Sequence, residues 1–460
     1  MSEEQSYEDP ILAVLIVGGG LGGLMLGAIL ESADIPYHIL ERSTEARPLG
    51  SVISMSGNIL PVFEQLGIYD ELKKRAKRHS QADFYDTKLN KLGTIQMKGL
   101  KKVCGYDYFV LARPKLYDLL RSQIPNHKIS MGKKVLRTRE QGDRVTVFCS
   151  DDTSYDCSIL VGADGVYSAV RQNMYKKLEE EGKLPLCDGE DFSIGFINMV
   201  GVSSPPNPER FPEFKDDRAH FRMTIGDGNA TSYATTVPDN QICWGLQLQL
   251  NSTQAKQQYF RNSEWGPEAI DTMLKDFEDF PSPFGGTMKE LFDSTPKNLI
   301  SKIFLEEKVF RTWHHGRTVL IGDACHKLLP GAGQGAIMAM KDAVVLSNYL
   351  FNMKDYSFKS IQDVFSNYYK QRYQEAVIQQ KNGANASKIL IGQRWSDKLL
   401  RHIMLKYTPY WLMEKQQEKD FAFRPQINWL PLATPRGSGK VLPQVGREEA
   451  AAKRAEANPI

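Results

Sequence analysis

Five glycines crowd into six residues, Gly18-Gly19-Gly20-Leu21-Gly22-Gly23, between an apolar run (Ala13–Val17) and a stretch of helical character (Leu21–Ser32). Gly18, Gly20 and Gly23 fit G-x-G-x-x-G. The first allows a tight turn, the second lets backbone approach a pyrophosphate, and the third lets helix pack on strand. The N–H groups and partial positive charge of such a helix start attract phosphate. A flexible glycine loop would not need a strand before it and a helix after it. The next apolar strand, Tyr37–Leu40, ends at Glu41-Arg42. A carboxylate there is placed to grip ribose hydroxyls and disfavours a 2′-phosphate, so NADP is not expected in this pocket. This opening dictates a parallel, Rossmann-like α/β start. Ile11–Leu30 lacks charge over a membrane-spanning length, but its glycines and the acidic leader Met1–Asp9 argue against a span or signal peptide.

A second feature lies about 300 residues downstream, where the apolar strand Thr318–Ile321 ends in Gly322-Asp323. Ala324-Cys325-His326, Pro330 and the loop Gly331-Ala332-Gly333-Gln334-Gly335-Ala336 follow, opening a helical stretch, Gln334–Phe351. A charge unpaired at the end of a buried strand costs several kcal/mol, so Asp323 is expected to meet a polyol or backbone amides. The glycine loop can meet a flat, electron-rich ring, and the helix dipole behind it stabilises negative charge there. An adenine dinucleotide with a polyol and a flat ring at its far end is FAD. Cys325 and His326 are tempting catalysts, but packing beside Asp323 is the plainer expectation. Asp164-Gly165, after a strand, reads as a further approach to pyrophosphate or as a plain β-turn. Arg113 starts a helix and suits a phosphate or carbohydrate contact, or a surface ion pair.

At 460 residues the chain exceeds the usual single core, so two domains or one large insertion are expected. A net charge of +3 offers no electrostatic case for nucleic acid. The six cysteines stand singly, which argues against a disulfide scaffold or metal site and suits a reducing, cytoplasmic setting. Ile59–Lys77 reads as a helix interrupted at Gly67, Gln81–Met97 as a hairpin, and Met273–Phe292 as a helix. Phe192–Val202, His220–Ile225, Thr231–Val237 and Ile242–Leu250 form an antiparallel sheet. The expected fold is therefore α/β: a discontinuous Rossmann-like FAD-binding domain (10–80, 99–185, 305–395) with an inserted β-rich substrate domain (81–98, 186–304). C-terminal helices (396–435) and a tail (436–460) expected to be disordered or marginally helical follow. Phe221, Met223, Trp244 and Leu246 are candidates for a substrate wall, or for core.

Taken together, Gly18–Gly23, Glu41, Arg113, Gly162–Gly165 and Gly322–Gly335 resemble the single-component (group A) FAD-dependent aromatic monooxygenases, above all their fungal natural-product members, over about residues 10–350. That resemblance implies a glutathione-reductase/p-hydroxybenzoate-hydroxylase-like fold. It implies that Glu41, with Arg42 beside it, binds the adenosine ribose, that Arg113 lies along FAD, and that Asp164 and Gly165 serve the FAD pyrophosphate and NAD(P)H. Asp323 would hold the ribityl or pyrophosphate region, Pro330 and Gly333 the adjoining loop. Gly335 and Ala336 would offer amides to the isoalloxazine, and Ser54 is a further contact. The family reaction uses NAD(P)H as a transient co-substrate and O₂. It hydroxylates or epoxidises an aromatic or olefinic small molecule through a flavin C4a-hydroperoxide. Rival expectations are a dehydrogenase or reductase of the same fold, or a flavin-binding protein without turnover. Three departures stand out. Ile337 replaces a common Asn, Lys341-Asp342 a common Glu-Asp, and Phe196-Ile197-Asn198-Met199 lacks the arginine some fungal members use, so no catalytic residue carries over. Many fungal relatives continue into membrane helices; here His402–Met413 is at most amphipathic, and core packing is expected of it, with peripheral membrane contact unsupported.

Overall fold

The strand Leu12–Val17 is buried along nearly its whole length and lies at the centre of a parallel sheet. A computed structural model describes residues 12–46, 49–97, 99–226, 228, 230–250, 267–329, 333–392 and 394–457. Tyr37–Leu40 pairs on one flank of that strand (Val14 opposite Tyr37), and Ser154–Gly162 on the other (Val17 opposite Gly162). Thr318–Leu320 then inserts parallel to Leu160–Gly162. These strands read as unbroken apolar runs because helices cover both faces, leaving no solvent side to alternate with. The helices Leu21–Glu31 and Gly335–Asn352 pack on each other, with Ala339 seated against Gly22 and Gly322. The strand order places the ends Val17, Gly162 and Leu320 side by side. Open parallel sheets bind ligands at that edge.

A second, ten-stranded sheet runs His326–Lys327, Ser301–Val309, Ser193–Ser203, Gln241–Gln249, Ala230–Val237, Arg218–Ile225, Lys77–Tyr85, Phe109–Ala112, Val52–Met55, with Lys91–Gln96 paired on Lys77–Tyr85. Val52–Met55 and Phe109–Ala112, assigned from sequence to the nucleotide half, are hydrogen-bonded into this sheet instead. Side-chain alternation gives it two distinct faces. Ile242, Trp244 and Leu246 point to one, packing with Met288, Leu291 and Phe292. Trp244 and Leu246 are thus core, not substrate wall. Gly245 and its cross-strand partners Tyr233 and Val200 belong to the other face, as do Phe221 and Met223.

The helix expected over Met273–Phe292 is two helices, Pro267–Asp276 and Met288–Asp293. Between them stand Pro281, Pro283 and the positive-φ residues Gly285 and Gly286, which no helix accommodates. The tail, expected to be disordered or marginally helical, is helical in part and held by backbone contacts. Ser438 and Gly439 donate to the carbonyls of Lys102 and Val103 at 2.8 and 2.9 Å, and Arg447–Ala457 is a helix that buries Ala450. His402–Met413 also departs from expectation. Leu405 packs inward, while Ile403, Trp411 and Leu412 stay exposed. No described helix is long and apolar enough to cross a membrane.

Candidate cofactor site

At the glycine turn, Gly18 has φ +113°, and a Cβ there would lie 2.3 Å from the Ala163 carbonyl oxygen. A Cβ on Gly23 would lie 2.0 Å from the Gly18 oxygen, whereas one on Gly20 would meet nothing within 4 Å. Gly18 and Gly23 are therefore glycines because the chain closes on itself there, and Gly20 because space is left beside it. Among the described residues, no side chain caps the helix that begins at Leu21, so its first N–H groups are available to an anion. Glu41 accepts from the Gly19 amide at 2.7 Å and the Ser43 amide at 2.8 Å, one on each carboxylate oxygen. Each oxygen keeps a lone pair for a hydroxyl. Arg42, beside it, is exposed.

The fold brings the distant motifs to this turn. The same missing Cβ of Gly18 faces the backbone of Ala163 and Asp164. Asp164 accepts from the Ser168 hydroxyl and the Val170 amide, capping the helix Ala169–Glu180. Burial raises its pKa above the ordinary carboxylate range. The Gly165 beside it, at φ +82°, has open space on its free side. Arg113, first residue of the helix Arg113–Arg121, donates to the Leu49 carbonyl at 3.0 Å. Gly50 is a glycine because a Cβ would lie 2.6 Å from the Arg113 Cδ. Burial pulls the Arg113 pKa down and the charge of Asp323 pulls it back up, so the two motifs meet electrostatically. Asp323 itself departs from expectation. Its side chain is 33% exposed and ion-paired with Lys327, so its charge needs no polyol for solvation. Gly322, at φ +62°, lets the strand end approach Ala339.

Gly333 is exposed, and a Cβ on it would lie 3.8 Å from the Ser54 hydroxyl. Gly335 opens the helix Gly335–Asn352, and Ala336 is half-buried behind it. Pro330 lies outside the described residues. From Ser54 an aromatic wall runs onto the face of the second sheet opposite Trp244. Tyr108 lies against Ser54, His79 is 5.5 Å from Tyr108 and 5.8 Å from Phe221, and Phe221 stacks on Tyr233 at 6.0 Å. Tyr233 reaches Asn198 on the neighbouring strand side.

One constellation escaped the sequence reading. Asp342, fully buried, accepts from the Gly322 amide at 2.9 Å, the His326 Nε2 at 2.5 Å and the Arg372 Nε at 2.7 Å. Glu375 pairs with Arg372 and with Lys341, the latter at 2.6 Å. Burial pushes the Asp342 carboxyl up, and His326 and Arg372 more than offset it, holding its pKa below the usual range. Cys325, His326 and Asp342 converge within 4.8 Å as metal ligands would. Yet the Asp342 oxygens already serve a guanidinium, an imidazole and an amide, and the cluster is an ion-pair network that ties Gly322 to two helices. Lys341-Asp342 belongs to it. The signal was present in the sequence: charges inside the apolar stretch 337–346 and, three apart, at Arg372 and Glu375.

The FAD binding domain family model matches residues 12–196 and 291–372. The chain belongs to this family. Among relatives in the FAD-binding family, a FAD-dependent monooxygenase of Penicillium ochrochloron is 30% identical over 74% of this chain and 78% of its own. One from Penicillium brasilianum is 26% identical over 89% of this chain and 85% of its own. The fold is similar to that of Klebsiella pneumoniae HpxO complexed with FAD and uric acid (TM-score 0.71, 19% identity, 90% of this chain and 97% of that one). The protein is an FAD-dependent monooxygenase. Its residues suit that cofactor. Space beside Gly20, spare lone pairs on Glu41 and an uncapped helix start after Gln334 match a pyrophosphate, a ribose and an electron-rich ring in turn.

Proposed function

We propose that this enzyme uses NAD(P)H and O₂ to hydroxylate or epoxidise an aromatic or olefinic small molecule, one oxygen atom entering product and the other leaving as water. The reading is supported above all by the meeting of Gly18, Asp164, Arg113 and Asp323 at one sheet edge, from segments far apart in the chain. In this reading the amides from Leu21 to Gly23 bind pyrophosphate, and Glu41 holds the adenosine ribose. Arg113 and Asp323 flank the middle of the cofactor, and Gly333, Gly335 and Ala336 present amides to its ring. Bound FAD supplies the redox chemistry, taking a hydride and activating oxygen. The chain's own task is to seat substrate and keep water away.

Phe221, Met223, Tyr108 and Tyr233 form the substrate side of the chamber in this reading. An aromatic wall suits a flat or isoprenoid scaffold, and Asn198 with the tyrosine hydroxyls suits a single polar group on it. Six free cysteines fit a cytoplasmic setting.

The test is substrate-stimulated NAD(P)H oxidation across a panel of aromatic and prenylated compounds under ¹⁸O₂. Labelled product is expected. Product without label would establish a dehydrogenase instead. Asp323→Ala is expected to lose visible flavin absorbance, while its thermal unfolding stays within about 0–1 kcal/mol of flavin-free wild type, because the Asp323–Lys327 pair is solvent-accessible. Unchanged flavin content would remove Asp323 from the cofactor site.

A further inference from the structure

The helix Trp395–Tyr407 has three different longitudinal faces. Asp397, Arg401 and Leu405, four residues apart, are buried, and Arg401 donates to the Leu390 and Gly392 carbonyls at 3.1 Å. The inner side meets the second sheet where a Gly93 Cβ would lie 2.7 Å from the Leu405 Cβ. Leu405, Met404 and Leu390 cluster there with Phe84, Phe221 and Met223. Gly93 pairs with Phe84, and Phe84 with Met223, across neighbouring strands. Those side chains share one sheet face, so this helix roofs the face that carries the aromatic wall.

The outer side is built oppositely. Trp395, Leu399, Ile403 and Tyr407 recur every four residues and are 78, 50, 46 and 67% exposed. One residue back runs a second stripe, Arg394, Lys398, His402 and Lys406, all exposed. The next helix, Tyr410–Asp420, continues both themes with exposed Trp411 and Leu412, then Lys415 and Lys419. Between residues 394 and 420 stand six Lys/Arg, of which Arg401 is buried, and four Asp/Glu, of which Asp397 is buried and Glu414 is ion-paired with Lys102. Monomeric proteins rarely expose a contiguous apolar stripe of this kind without using it. A second copy of the chain would bring the cationic stripes together. An anionic lipid surface satisfies both stripes at once: tryptophan and tyrosine seat at headgroup level, aliphatic side chains enter the acyl boundary, and lysine and arginine meet phosphate and serine headgroups.

We propose that the outer face of Trp395–Tyr407, with Trp411 and Leu412, docks this enzyme peripherally on an anionic membrane surface, lying in the interface without crossing it. The exposure of Ile403, Trp411 and Leu412 fits the amphipathic reading of His402–Met413 and not core packing of the whole stretch.

The FAD-loaded full chain is tested by flotation with phosphatidylcholine vesicles containing about one-third phosphatidylserine, against phosphatidylcholine alone. Flotation with the anionic vesicles is expected at low salt, reduced at least about tenfold on neutral vesicles and by high salt. The triple variant Trp395→Glu, Ile403→Glu, Trp411→Glu is expected to retain bound flavin and remain unfloated. Three outcomes would overturn the proposal: wild type that holds flavin but stays with the soluble fraction, a triple variant that floats as wild type does, or a wild-type dimer in light scattering that the variant converts to monomer without any lipid binding. The last would assign the face to a second copy.

Discussion

Gly18 is a residue where a single methyl group should harm both the turn and the cofactor site. Its φ of +113° and the 2.3 Å approach to Ala163 make Gly18→Ala a strained substitution, expected to cost about 1–3 kcal/mol. It should also eject flavin, read as a lowered melting temperature and a colourless protein after gel filtration. His79 supplies a pH dependence. Buried against Tyr108 and Phe221, its pKa is pushed down to about 4. A base whose folded pKa lies below its unfolded value stabilises fully above about pH 6.5 and loses that contribution as pH falls towards 4. Urea unfolding at several pH values should therefore show a slope in that window of up to about 1.4 kcal/mol per pH unit. His79→Gln is expected to lessen it without abolishing it, because burial also pushes His314 down to about 4; an unaltered slope would reject the assignment. At this scale the glycines were legible from sequence, because their demands are local: a turn, a helix start, a close approach. Asp323 was legible in place but not in environment. The Lys327 that neutralises it lies one turn further along, and nothing in residue spacing said the pair would face solvent.

Elements were legible to the extent that their periods were unambiguous. The strands of the second sheet and the break at Gly67 (φ +73° between the helices Leu60–Gln65 and Tyr69–Lys74) follow from alternation and one glycine. What alternation could not say is which face of a doubly covered sheet meets ligand. Ile242, Trp244 and Leu246 were as eligible as Cys243 and Gly245 until the helices Pro267–Asp276 and Met288–Asp293 were seen on one side. The Asp342 network was hidden for a related reason, since Asp342, His326 and the Arg372–Glu375 pair come from three separate segments. Removing one member leaves the others charged and buried. Asp342→Ala is therefore expected to destabilise by about 3–5 kcal/mol, and Arg372→Ala comparably. The double variant should cost clearly less than the sum, since the two singles break one interaction. Additive losses in a denaturation cycle would show that the two do not act as a unit.

For the whole molecule, the sequence announced a nucleotide sheet interrupted by a β-rich stretch, and the two sheets bear out that α/β architecture. It did not announce the docking of the last residues. The contacts of 436–439 on Gly99–Cys104 depend on Gly105, Gly437 and Gly439, which look like linker composition until two backbones are seen against each other: a Cβ on Gly105 would sit 2.0 Å from that of Arg436. Truncation before Pro435 is therefore expected to lower the melting temperature by several degrees, consistent with a loss of about 1–3 kcal/mol, and not to leave it unchanged as removal of a free tail would.

The pairing of Thr318–Leu320 against Leu160–Gly162 sets a timetable for the ribosome. The nascent polypeptide emits one strand of that pair and must translate about 150 more codons before its neighbour emerges. At 5–20 residues per second this is a wait of roughly 10–30 s. Throughout that interval a β-edge made of Leu160, Val161 and Gly162 has no sequence-encoded mate, and such edges recruit strangers. Chaperone dependence during synthesis, and inclusion bodies when expression is fast, follow from where in the message the closing strand is written.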